Sequence, residues 1–168
     1  MSSHDFNTPP EILSLVRLLG PTPEPIQIGL DPCSNTHSLV NAKTSYTEKE
    51  NGLIQNWRGH GLVFVNPPHS MSPYNIEPWM EKAYKEFGWS IYDDDALVML
   101  VPAKTDTAWF HDYVVAMGGM KCFLRGRPKY WLNGSPTPGP GKFASMILYK
   151  GAYLERFVAV FHSQGWLA

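Results

Sequence analysis

"LVFVNPPHSM" (residues 62–71) sets four apolar residues against an asparagine, two prolines and a histidine. The unbroken run Leu62, Val63, Phe64 and Val65, bounded by Gly61 and Asn66, is the pattern of a strand buried on both faces. Such a strand belongs to a parallel sheet with helices packed on either side. Prolines end a strand cheaply only where the backbone needs no further ladder hydrogen bonds. A polar side chain fixed between a buried strand and a rigid turn is also well placed for chemistry. The turn therefore has a structural reading and a chemical one.

The flanking elements extend the pattern. Upstream, Thr8, Pro9 and Glu11 have the form of a capped helix start, with Pro9 at the first helical position. Ile12, Leu15, Val16 and Leu19 then fall on one face, and Gly20 ends the run. "IQIGL" (26–30) reads as a short strand ending on Asp31-Pro32, and a small strand is expected near Ala42–Tyr46. Downstream, Ile76, Trp79, Met80, Ala83 and Phe87 recur at helical spacing before Gly88. "ALVMLV" (96–101) is a second apolar strand closed by proline, and a helix is expected from Thr105 to about Met117. Strands at 120–125 and 144–149, joined across "NGSPTPGPG", pair most economically as a hairpin. A last amphipathic helix spans Tyr153 to His162. The alternation predicts an α/β fold: a mostly parallel twisted sheet, a C-terminal antiparallel hairpin and helices on both faces.

The 168 residues fit a single domain, 1–168, with 43% hydrophobic and 17% charged residues. No run reaches the length of a membrane span and the N-terminus is too polar for a signal peptide, so a cytoplasmic protein is expected. Cys33 and Cys122 are isolated, and the histidines lack metal-ligand spacing. Net charge is −1, but no acidic residue lies between Tyr113 and Leu154, where Lys121, Arg125, Arg127, Lys129, Lys142 and Lys150 fall. Such asymmetry fits either a surface that faces a polyanion or a solvated face.

In open α/β sheets, ligands bind beyond the carboxyl ends of the strands. Three strands end there in polar turns: "DPCSN" (31–35), "NPPHS" (66–70) and "PAKTDT" (102–107). An acidic residue at a strand end before a tight turn suits a nucleoside-bearing cofactor, and also suits a plain strand-ending turn. Asn35 stands where a glycine would serve a left-handed backbone. Neither G-x-G-x-x-G nor a P-loop is present. In the second turn, the Asn66 amide oxygen and the Pro67 carbonyl, left free by a rigid turn, can accept from an exocyclic amino group. The flat ring of His69 can stack on a base.

These residues carry a resemblance. "NPPH" resembles the Asn/Asp-Pro-Pro-aromatic motif of S-adenosylmethionine-dependent amino-methyltransferases. The ordered set Thr8-Pro9, Asp31-Pro32, "NGLIQNW", "NPPHS", "WMEKA", "PAKTDTAWFH" and Gly126-Arg127 is similar to the phage and prophage DNA N-6-adenine methyltransferase family, over roughly residues 6–150. The resemblance implies a Rossmann-like class I methyltransferase fold in which an adenine flips into a pocket. It implies Asn66, Pro67, Pro68 and His69 as the catalytic turn, with Asn66 and Pro67 on N6 and residue 69 on the ring. Thr8, Pro9, Asp31, Pro32, Cys33 and Ser34 would line the S-adenosylmethionine, with Glu48 or Glu50 on its ribose. Lys104, Arg125, Arg127 and Lys129 would meet DNA, and the loop 132–142 a groove. Trp109 and Phe110 are expected to pack in the core.

Two positions depart from the family's pattern: His69, where Tyr or Phe is usual, and Asn51, where an acidic residue is frequent. The alternatives are a chain that binds DNA or cofactor without turnover, and a methyltransferase acting on an amide or on RNA.

Overall fold

The computed structural model describes residues 6–69, 75–89 and 94–168; Ser70 of the quoted turn and Asp93 of the "DDD" run lie outside them. In chain order the elements are β1 (Phe6–Asn7), α1 (Pro10–Val16), β2 (Leu30–Asp31), β3 (Thr44–Ser45), β4 (Leu62–Val65), α2 (Glu77–Phe87) and β5 (Ala96–Pro102). After a π-helical segment (Phe110–Val115) come β6 (Met120–Leu124), β7 (Trp131–Leu132), β8 (Ser135–Pro136), β9 (Ser145–Lys150), α3 (Leu154–Phe161) and β10 (Gly165–Leu167).

Seven strands form one sheet in the order β10-β6-β9-β5-β4-β2-β3. β3, β2, β4 and β5 are parallel neighbours, with Leu30 opposite Val63 and Leu62 opposite Ala96. β9 runs antiparallel between β5 and β6, and β10 adds a further antiparallel edge on β6. The sheet is therefore mixed rather than mostly parallel. The expected hairpin of β6 and β9 is present, but it inserts its second strand against β5.

Because successive strand residues point to opposite faces, β4 and β5 feed two cores. Val63, Val65, Leu97, Met99 and Val101 pack with Trp79, Met80, Phe110 and Val114, so α2 and the π segment cover one face. Leu62, Phe64, Val98 and Leu100 pack with Leu13, Val16, Phe157 and Phe161, so α1 and α3 cover the other. Trp109 and Phe110 are core residues, as expected. Tyr149, Phe157 and Phe161 stack at 5.2 and 4.8 Å, each contact contributing about 0.5–1.5 kcal/mol beyond burial. No helix is long and apolar enough to cross a membrane among the described residues.

Several local expectations change. Helix α1 begins one residue later than expected: Pro9 is its cap and Pro10 its first helical residue, with no side-chain capping bond from Thr8 or Glu11. Only Leu30–Asp31 of the 26–30 run pairs as a strand. The "NGSPTPGPG" segment is itself folded: Asn133 and Gly134, with φ of 49° and 78°, make the two-residue turn of the β7–β8 hairpin. That hairpin captures β1, with Phe6 opposite Leu132 and Asn7 opposite Trp131. Asp95 accepts hydrogen bonds from the Gly59 and Gly61 amides, both at 2.7 Å, and pairs with Arg58.

Candidate active site

The parallel run of β2, β4 and β5 sends their carboxyl ends, Asp31, Asn66 and Pro102-Ala103-Lys104, to one edge of the sheet. β6 shares that direction because both it and β5 are antiparallel to β9. The chain from Arg125 to Tyr130 therefore leaves from the same edge.

Asp31 is 2% exposed. Its Oδ1 accepts from the Cys33 amide and its Oδ2 from the Ser38 hydroxyl, both at 3.1 Å. Burial pushes its carboxyl up to about 6, against the opposing pull of hydrogen bonds from Cys33, Ser38 and Ser34. The Cys33 thiol is pushed far up by burial and by the Asp31 charge. It is a neutral wall, not a nucleophile. Asn35 turns by its side chain, accepting from the His37 amide at 2.9 Å; among the described residues the left-handed non-glycine positions are Asn41, Asn51 and Asn133.

A niche of about 30 Å³ opens at Asp31, walled by Thr8, Cys33, Ser34, Asn66 and Pro68. Among the described residues, Thr8 Oγ1 and Asn66 Oδ1 are buried there without a hydrogen-bond partner. Leaving such an atom unpaired costs about 1–3 kcal/mol, so two beside a buried carboxylate mark a place where a ligand supplies the missing bonds. A carboxylate accepts from an amino acid's ammonium group, and a hydroxyl can donate to its carboxylate, as Asp31 and Thr8 can here. The residues fit the methionine end of S-adenosylmethionine.

A cleft of about 530 Å³ shares Cys33, Ser34, Asn35 and Pro68 with the niche and continues past Pro32 to Glu48, Asn51, Leu53 and Trp79. Glu48 lines this cleft. Glu50 does not: it accepts from the Thr47 amide at 2.9 Å and from the Thr47 hydroxyl, which also hold its carboxyl below the usual range. The "NGL" backbone closes on the Asp-Pro turn. Asn51 adopts φ of 53°, and a Cβ on Gly52 would lie 1.8 Å from the Pro32 carbonyl oxygen. Gly52 O accepts from Trp57 Nε1 at 2.8 Å, and the fully buried Trp57 stacks on Trp79 at 6.1 Å.

On the other side of Asn66 lies a pocket of about 200 Å³, lined by Asn66, Pro67, His69, Tyr130 and Phe143 with Phe6. Its walls are flat and largely apolar, suited to one planar ring. His69 Nδ1 donates to the Pro67 carbonyl at 3.0 Å. The sequence predicts a free Pro67 carbonyl; here it is engaged by His69 but keeps one lone pair. The bond fixes the His69 ring with Nδ1 protonated, edge-on to Phe143 at 6.2 Å. Burial lowers its pKa, the Pro67 bond partly offsets this, and the charge of Lys104 lowers it further. At neutral pH the ring is uncharged.

The turns thus bring Thr8, Asp31, Cys33, Ser34, Asn66 and Pro68 together at the niche, Pro32 and Glu48 at the cleft, and Pro67 and His69 at the pocket. Pro9 lines none of the three cavities and acts as the helix cap. Arg125, Arg127 and Lys129 are exposed and also line none of them. Sequence reasoning missed Phe6, Asn7, Ser38, Tyr130 and Phe143, and named Lys142 only as part of a basic stretch and loop. The one signal for Phe143 was an aromatic beside that lysine after the Gly/Pro loop.

No curated protein and no solved structure matches the chain. The family model for DNA N-6-adenine-methyltransferase (Dam) matches residues 22–148, a span that holds the Asp31 niche, the Asn66 turn and Phe143, with Phe6 and Thr8 upstream. With that match over most of its length, the chain belongs to the DNA N-6-adenine-methyltransferase (Dam) family and is an adenine-N6 DNA methyltransferase.

Proposed function

We propose that the protein methylates adenine N6 in DNA from S-adenosylmethionine, with the adenine extruded from the helix, on a Rossmann-like class I methyltransferase scaffold. One observation carries this reading: Asn66 stands in the wall shared by the Asp31 niche and the His69–Phe143 pocket, and its buried Oδ1 has no partner among the described residues. An acceptor in that wall is what a reaction between a ligand on one side and an amino group on the other requires.

S-adenosylmethionine supplies a methyl group already activated by its sulfonium. On the cofactor side, Asp31 holds the ammonium, Thr8 Oγ1 satisfies the amino-acid end, and Glu48 holds the ribose hydroxyls. Cys33 and Pro68 exclude water between them. On the substrate side, Asn66 Oδ1 and the remaining lone pair of Pro67 accept the two N6–H donors, which turns the nitrogen lone pair toward the cofactor. Pro67 and Pro68 keep both acceptors still, and the neutral His69 ring stacks on the base without adding a second cation. Catalysis then rests on positioning and on a carboxylate that faces positive charge. Incubation with tritium-labelled S-adenosylmethionine and, separately, duplex DNA, RNA and a protein extract tests this reading. Label is expected in DNA; transfer to RNA or protein in its place contradicts it.

A further inference from the structure

The mouth of the base pocket carries two lysines from different parts of the chain. Lys104, just past β5, places Nζ 4.6 Å from the centre of the Phe143 ring, and Lys142 places its Nζ 5.5 Å from the same ring. Both lysines are exposed, and neither pairs with a carboxylate among the described residues. Their backbones are anchored. Lys104 O accepts from the Thr107 hydroxyl at 2.7 Å, and the Gly141 amide beside Lys142 donates to Pro128 O at 2.8 Å. Lys104 is also near enough to His69 for its charge to be felt there.

A cation over an exposed aromatic face gains about 0.5–1 kcal/mol, which does not explain gathering two like charges on one ring. An anion between them does. A base seated against Asn66 and His69 keeps its own phosphates at the pocket mouth, where these ammonium groups stand. We propose that Lys104 and Lys142 clasp the phosphodiester adjoining the extruded adenine, across the edge of Phe143. The proposal rests on the base pocket assigned above. It leaves the exposed Arg125, Arg127 and Lys129, which line no part of that pocket, for phosphates farther along the strand. The clasp makes the protein select a nucleotide within a chain rather than a free base.

The test uses a duplex carrying the adenine that the wild-type protein methylates, with the phosphodiesters on either side of it native or replaced by uncharged methylphosphonates. The wild type is expected to lose about tenfold in affinity on the methylphosphonate duplex. The Lys104→Ala, Lys142→Ala double variant is expected to lose as much on native DNA and nothing further on the methylphosphonate. Its dependence of log affinity on log salt is expected to flatten by about one, for the single phosphodiester clasped. An Arg125→Ala control keeps the methylphosphonate penalty. A full penalty in the double variant, or none in the wild type, overturns the clasp while the base pocket stands. Absence of methylation on any DNA instead overturns the reading on which it rests. Both lysines are exposed, so melting temperature serves as the check that the double variant folds.

Discussion

Replacing Asp31 by asparagine separates what the carboxylate costs the fold from what it does for the cofactor. The group is 2% exposed and its carboxyl is raised from 3.8 to about 6, with burial as the largest cause. The unfolded chain releases this proton near the ordinary value, so between about pH 4 and pH 6 the folded protein holds a proton that the unfolded chain has lost. Stability from this group is therefore fully present below about pH 4 and is lost as pH rises through about 6. A displacement of about two units corresponds to about 3 kcal/mol. In urea titrations from pH 4 to pH 8, the ligand-free wild type should lose about that much across the window. The Asp31→Asn protein should show no such decline, and above pH 6 it should be the more stable of the two by up to about 3 kcal/mol. The Cys33 amide and Ser38 hydroxyl contacts can both be met by an asparagine amide, so the comparison isolates the charge. The same variant should bind S-adenosylmethionine at least tenfold more weakly in calorimetry, because a charge-assisted bond to the ammonium is gone. A variant that is destabilised equally at every pH and binds the cofactor like the wild type would refute the reasoning.

Thr8→Val removes the unpartnered buried hydroxyl while keeping its shape. It should leave the apo protein unchanged or up to about 1–2 kcal/mol more stable, yet weaken cofactor binding, as paired melting and calorimetry would register. Gly52→Ala drives a methyl group to within 1.8 Å of the Pro32 carbonyl. A loss of about 1–3 kcal/mol or more should accompany a displaced Asp-Pro turn and lost cofactor affinity; wild-type affinity would remove the clamp from the account. Because His69 titrates below its ordinary 6.5, single-turnover methylation should hold at pH 7 and fall as acid protonates the ring below about pH 6.5. His69→Phe should reduce that acid limb, to which Asp31 also contributes, and an identical pH profile in the variant would exclude His69 as a source.

The parts of the fold legible in the sequence were those with strong local patterning. β4 and β5 announce themselves by unbroken apolar runs, and α2 by helical spacing, because both faces of a covered strand and one face of a helix must bury apolar surface. The two-residue strands β1, β7 and β8 have no such pattern; their pairing depends on the Asn133-Gly134 turn meeting the N-terminal segment in space. The start of α1 was misplaced because Pro9 and Pro10 each suit a first helical position, and backbone geometry chose Pro10. β9 was legible as a strand but not as the neighbour of β5, since pairing order is a long-range choice.

For the site, the Asp31 and Asn66 turns were legible because chemistry-bearing side chains sit at strand ends. Which of Glu48 and Glu50 lines the cleft was not, since that depends on Thr47 engaging Glu50. The far wall of the His69 pocket, Tyr130 and Phe143, comes from a loop distant in sequence, so no local motif could announce it. The proline pair after β4 has a visible structural part. It ends the strand and also carries the Pro67 carbonyl that fixes His69.

The most direct test of the account is nucleoside mass spectrometry of duplex DNA incubated with S-adenosylmethionine and either the wild type or Asn66→Ala. The account predicts N6-methyldeoxyadenosine with the wild type, and a fall of more than about a hundredfold in the variant while its cofactor affinity is unchanged. Undiminished N6 methylation by Asn66→Ala would contradict it.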